Sequence, residues 1–189
     1  MSEIKKCPNI RFKGFTDDWE QRKSGELFTS ISDKGHPHLP VLSASQELGM
    51  VLRSENGIDI KHNSSSEKTY KRVLPGQFVI HLRSFQGGFA HSEIEGITSP
   101  AYTIIDFQNK KLNNQYFWKE FFTSPTFIKR LETVTYGIRD GRSISFSDFS
   151  SLKLSYPSVE EQNAIGKGLN TIDKTITLHQ RKHTRSDIP

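Results

Sequence analysis

The hydrophobic period of this chain changes near Asn113, from short strand-like pieces to helical spacing, and that change predicts a fold holding both sheet and helix. Between Val41 and Phe107 the apolar residues come in short pieces: Val41-Leu42, Met50-Val51-Leu52, Ile58-Asp59-Ile60, Phe78-Val79-Ile80 and Ala101 to Phe107. Gly49, Asn56-Gly57, Pro75-Gly76 and Gln86-Gly87-Gly88 punctuate them. Short apolar pieces separated at roughly ten-residue intervals by turn residues predict strands. Phe78, Ile80 and Leu82 alternate, which predicts a half-buried strand. Beyond Asn113, the residues Phe117, Phe121, Phe122, Phe127, Ile128, Leu131 and Val134 follow the helical period. Ser124-Pro125 divides that run into two helices, with Pro125 at the first helical position of the second. The expected class is α+β.

Smaller signals fill the rest. Cys7 to Phe15 reads as an extended arm and Trp19 to Lys23 as a short strand. Ser24 is placed to cap a short helix over Gly25 to Thr29. Lys34 to Pro40 and Gly137 to Arg142 read as loops, and Ser143 to Phe149 and Leu152 to Tyr156 as extended chain. Ser158-Val159-Glu160-Glu161 has the capping-box form and opens a helix expected to reach about His183. In that helix Ile165, Leu169, Ile172 and Ile176 are spaced four, three and four apart, the narrow seam of a coiled coil. Gly166 and Gly168 each cost such a helix about 1 kcal/mol relative to alanine, so the seam needs a partner surface.

Composition bears on function by exclusion. With 26 basic and 21 acidic residues the net charge is +5, a balance that favours a polyanionic partner. The 13 phenylalanines are read chiefly as core. A single cysteine, Cys7, excludes a disulfide framework or a Cys-based zinc site within one chain and points to a cytoplasmic setting. No apolar run is long enough for a membrane helix, and Met1 to Lys6 lacks the apolar segment of a signal peptide. Chemistry of the chain's own is not legible. The Asn/Asp-Pro-Pro-aromatic motif of DNA amino-methyltransferases is missing, as is a Gly-rich cofactor loop. Asp59-Ile60-Lys61 has the form of a nuclease carboxylate-lysine pair but no convincing upstream acid partner accompanies it. His179 and His183 share a helix face without a Cys or acid beside them, so no metal site and no cofactor are expected. His36 and His38, flanking Pro37, read as exposed loop residues with phosphate contact as the alternative.

The order of segments resembles a known family. PNIRFKGFTDDWEQRKSGELF opens the run, and LSASQELGMV, YKRVLPGQFVIHL and GITSPAYTIIDF follow. A Phe-rich helical stretch, GIRDGRSISFSDF and LSYPSVEEQNAIGKGLNTIDKTITLHQRK complete it. Together they are similar to the specificity subunit of Type I restriction-modification systems. That resemblance implies a target-recognition domain, here residues 1–157, followed by a conserved helical spacer, residues 158–189. It also implies that the chain reads double-stranded DNA while separate modification (methyltransferase) and restriction subunits do the chemistry. Members of the family carry two such domains. This chain has one copy of WEQRKSGELF and one of YPSVEEQ, so it resembles half a subunit whose spacer helix is expected to be truncated.

Candidate contacts come from the residues themselves. Asn63, Lys68, Tyr70, Lys71 and Arg72 lie in a basic run that offers phosphate donors and an Asn for adenine. Arg83, Ser84 and Gln86 close a strand, where Arg and Gln can read guanine and adenine edges and the following glycines let backbone approach DNA. Arg139 and Arg142 suit phosphate or guanine, and Lys34 suits phosphate. For each the competing reading is a solvated loop, a plain turn or a surface ion pair. Ile165, Leu169, Ile172 and Ile176 either pack within the chain or pair two chains in a weak homodimer. The alternatives kept open are a truncated single-site DNA-binding remnant, a recognition piece of a single-chain restriction enzyme with a nuclease site near Asp59, and a protein-interaction module.

Overall fold

A computed structural model of the chain describes residue 8 and residues 10–45, 47–56, 67–135 and 144–186. Strands β1 (Glu20–Lys23), β2 (Phe28–Ile31), β3 (Leu42–Ser45), β4 (Gly49–Leu52), β5 (Lys71–Val73) and β6 (Phe78–Ile80) come first. A single helical turn, α1 (Ser84–Gly87), precedes β7 (Ala90–His91), β8 (Gly96–Thr98) and β9 (Thr103–Phe107). Then follow α2 (Gln115–Thr123), α3 (Pro125–Thr135), α4 (Phe146–Ser151), β10 (Lys153–Tyr156) and α5 (Val159–Ser186). The strand-rich first part and the helices after Asn113 hold as expected, and β10 returns to extended chain as read for Leu152 to Tyr156.

A four-stranded antiparallel sheet, β2-β9-β6-β7, divides the interior. Alternation along its strands sends Phe28, Phe78, Ile80, Ile105 and Phe107 to one face. There they meet Trp118, Phe122, Phe127 and Phe149 from the helices. Phe28 stands edge-on to Trp118 at 5.1 Å, and each ring so buried contributes about 1.5–3 kcal/mol. Val79, Ala90 and Ile104 point the other way, onto Leu42, Met50 and Val73. β3 and β4 form a hairpin and β5 pairs with β8; bridges Val41–Ile97 and Met50–Ser92 join these pieces.

Four local expectations change in the structure. β6 is buried on both faces rather than one, because helices and hairpin cover both sides of the sheet. It ends at Ile80, leaving Leu82 at 41% exposure. Ser24 caps no helix: it starts a 3-10 turn, Ser24–Glu26, and its hydroxyl bonds the carbonyls of Phe149 and Leu152. Thr29 then lies in β2, since pairing with β9 and burial of Phe28 outweigh the local cap signal. Residues 146–151 are helical, not extended, with Ser145 and Asp148 forming a capping box. At α5 the capping box forms by half. Glu161 N–H donates to Ser158 Oγ at 3.4 Å, but the Glu161 carboxylate takes Arg11 instead, at 2.8 and 2.6 Å.

That ion pair belongs to a closely fitted root for α5. Gln162, fully buried, accepts from the N–H of Asn114 at 2.9 Å and donates to Pro157 O at 3.0 Å. Asn114 caps α2 through the N–H groups of Tyr116 and Phe117. Gly166 lets the helices approach: a Cβ there would stand 2.5 Å from Asn114 Oδ1 and 3.0 Å from Phe117 N. The glycine is therefore a packing requirement as well as a cost in helix propensity. Further along, Lys119 reaches Asp173 at 3.2 Å.

Candidate nucleic-acid interface

Two sets of cationic side chains differ in what surrounds them; elsewhere among the described residues Lys13, Lys23, Lys111, Lys129, Lys153, Lys167 and Lys174 also make no salt bridge. In the first set, each has an acid. Arg11 pairs with Glu161, Lys110 with Asp106, and Arg72 with Glu95 at 2.6 Å and Asp33 at 3.5 Å. Asp33 is further tied to His36 at 2.8 Å; that bond, followed by Arg72, holds its carboxyl below the usual range. Arg72 thus closes a local network rather than standing open to a ligand.

The second group gathers around β5. Lys34 forms an isolated antiparallel bridge with Lys71 on β5, which sets two like charges side by side. Lys71 Nζ donates to Tyr102 O at 2.6 Å, and burial, then the Lys34 charge, push its pKa down. The Tyr102 ring lies 6.1 Å from that of His81, at the end of β6. Tyr102 thus touches both Lys71 and His81, and His81 immediately precedes the turn that carries Arg83 and Gln86. Both of those residues are exposed, as is Lys68. Tyr70 lies under Arg53, whose guanidinium is 5.8 Å from the ring centroid. Among the described residues, no carboxylate lies within salt-bridge distance of Lys34, Arg53, Lys68, Lys71 or Arg83.

Other candidates are placed differently. Ser84 is buried and its hydroxyl accepts from the N–H of His81 at 2.8 Å, so it serves the turn. Gly88, at φ +81°, faces the Phe122 carbonyl inside the protein, not a ligand. Asn63, Arg139, Arg142 and Asp59 lie outside the described residues. Arg53 and Tyr102 were missed in the sequence; position at a strand end was the available signal for Arg53. Behind the edge, burial pushes His81 down to about 4, with the charge of Arg83 acting the same way, and burial also lowers His91.

The heptad residues split. Ile165 packs on the aromatic core, whereas Leu169, Ile172 and Ile176 are 37%, 54% and 49% exposed. Ile176 and Leu178 face an open groove of about 680 Å³ shared with Leu48 at the β3–β4 turn. No helix among the described residues is long and apolar enough to cross a membrane, and no group of three His, Cys, Asp or Glu among them could hold a metal ion.

Known proteins give the fold a family. The chain resembles the HsdS subunit from Thermoanaerobacter tengcongensis, with a TM-score of 0.52 and 15% identity over 93% of this chain and 42% of that one. The Type I restriction-modification S subunit from M. genitalium gives 0.54 and 14%, over 88% and 42%. A structure of complex assembly and conformational transition in the type I R-M system gives 0.57 and 15%, over 92% and 43%. The chain thus spans less than half the length of each. Among curated proteins, none matches. Residues 16–185 match the Type I restriction modification DNA specificity domain, and the chain belongs to that family.

Proposed function

We propose that the chain is a half-length specificity subunit that reads one half of a double-stranded DNA target and catalyses nothing itself. Residues 1–157 form the recognition domain and residues 158–189 the helical spacer. The observation that carries this reading is the set of acid-free cations around β5, in a chain whose other cations include several in close ion pairs. Lys34, Lys68 and Lys71 take phosphates, and Arg83 and Gln86 reach base edges. Asn63, Arg139 and Arg142 remain proposed contacts on sequence grounds. Bound to its site in the cytoplasm, the chain directs a modification subunit and, through it, a restriction subunit.

Two identical chains supply two half-sites. Leu169, Ile172 and Ile176, left exposed by the fold, pair across a two-fold axis in a weak homodimer, with Ile165 retained in the domain. The 28 residues of α5 span about 42 Å, a little over one turn of B-DNA, which sets the half-site separation. Mapping methylated sites in cells that carry this chain with its modification partner tests the reading. A bipartite palindrome is expected; a single undivided site contradicts the dimer, and no chain-dependent motif contradicts the function. In sedimentation, Ile172→Asp should abolish association seen for the parent on DNA, and a parent monomeric at high concentration and on DNA rejects the pairing.

A further inference from the structure

We infer that Arg53 is a specificity-determining residue whose guanidinium takes O6 and N7 of one guanine in the major groove. The inference rests on the DNA-recognition reading above and gives one side chain a defined part in it. Arg53 follows β4 and opens a 3-10 turn, Arg53–Asn56. Its N–H donates to Val41 O at 3.0 Å, so its backbone is anchored to the hairpin rather than carried on a free loop. The guanidinium is held over the Tyr70 ring at 5.8 Å. Stacking fixes the planar fork by one face and leaves edge donors for a bidentate acceptor. Arg72, by contrast, is committed to Asp33 and Glu95.

The surroundings favour a base edge over a phosphate. Arg53 lines a shallow hollow of about 300 Å³ with Leu39, Pro40, Val41, Leu52, Ser54 and Glu67. The lining is chiefly aliphatic, with the Ser54 hydroxyl and the Glu67 carboxylate beside it, so a phosphate anion there meets a like charge. A guanine edge is neutral, presents two acceptors matched to the arginine fork, and tolerates an apolar neighbour. Lys34 and Lys71, with two charges and no nearby carboxylate pairing, suit a phosphate better.

The test selects duplexes from a random pool with the full chain and measures the salt dependence of affinity. The parent is compared with Arg53→Ala, Arg53→Lys, Tyr70→Phe and Tyr70→Ala. Both Arg53 variants should lose a guanine preference at one position, by roughly 5- to 150-fold, with the other positions and the salt slope retained. Tyr70→Phe keeps the ring and should keep the preference; Tyr70→Ala should weaken it. Arg53→Lys with full preference overturns the proposal, since a point charge then suffices. Uniform weakening of all duplexes with a shallower salt slope also overturns it, in favour of a phosphate contact. A parent that enriches a motif shared by all variants overturns this proposal alone, whereas a parent that enriches nothing overturns the recognition reading as well.

Discussion

The root of α5 and the edge of β5 use charge in opposite ways. At the root, Arg11 and Glu161 meet in a two-pronged pair whose side chains are only 12% and 2% exposed, and Gln162 and Asn114 satisfy one another and the backbone around them. At the edge, Lys34 and Lys71 lie side by side, and Arg53 and Arg83 have no carboxylate at salt-bridge distance among the described residues. A closed network holds the fold and gains nothing from a ligand. An open cluster of like charge carries a repulsion that a polyanion relieves. The difference separates residues that shape the molecule from residues that address its target, although both sets are Lys and Arg.

Breaking the root should cost the most. Arg11→Ala leaves the Glu161 carboxylate buried without its cation, and unfolding by urea should show a loss of about 3 kcal/mol. Arg11→Met with Glu161→Leu should recover most of it, because no charge is then stranded. Full stability in the single variant would mean the pair is not buried in solution.

Acid should act on the edge side. His81 is neutral in the folded chain, pushed down to about 4, while its unfolded value is 6.5. Between those values the unfolded chain binds the extra proton, so stability present above pH 6.5 is lost as pH falls towards 4. The loss is on the order of 3 kcal/mol, with His91 adding in the same direction. His81→Gln should flatten the profile of urea stability against pH over that window; an unchanged slope would assign the loss to other groups.

The two glycines of α5 sharpen the root itself. Gly166→Ala brings a Cβ against Asn114 and the backbone of Phe117, which should cost about 1–3 kcal/mol despite better helix propensity. At Gly168 the nearest atom is the far end of the Phe12 ring, at 3.0 Å, and Phe12 is half exposed and able to yield. Gly168→Ala should be neutral or stabilising by up to about 1 kcal/mol. Equal effects in thermal unfolding would show that propensity rather than packing decides both.

Much of the fold was legible because it follows from period and punctuation. The short apolar pieces among the described residues became strands (Ile58-Asp59-Ile60 lies outside them), Ser124-Pro125 divided α2 from α3, and Ser158 opens α5. What escaped depends on partners remote in sequence. Ser24 looks like a cap until Phe149 and Leu152, more than a hundred residues away, claim its hydroxyl. Glu161 looks like the second half of a capping box until Arg11 arrives. At the interface the basic composition and Lys71 were readable, but the division of labour was not. Arg72 and Lys71 are neighbours in sequence, and only the alternation of β5 sends one to acids and the other to Lys34. Arg53 and Tyr70 are 17 positions apart and meet only because β3, β8 and β5 lie next to one another.

The central claim is that the acid-free cations, and not the paired ones, meet DNA. The salt dependence of duplex affinity tests it most directly. For the parent, log affinity should fall linearly with log salt, by about 0.9 per phosphate neutralised. Lys34→Ala with Lys71→Ala should make that slope shallower by about two while leaving thermal stability unchanged, and Arg72→Ala should leave the slope as it is. A parent slope unaltered by the double variant but reduced by Arg72→Ala would contradict the account.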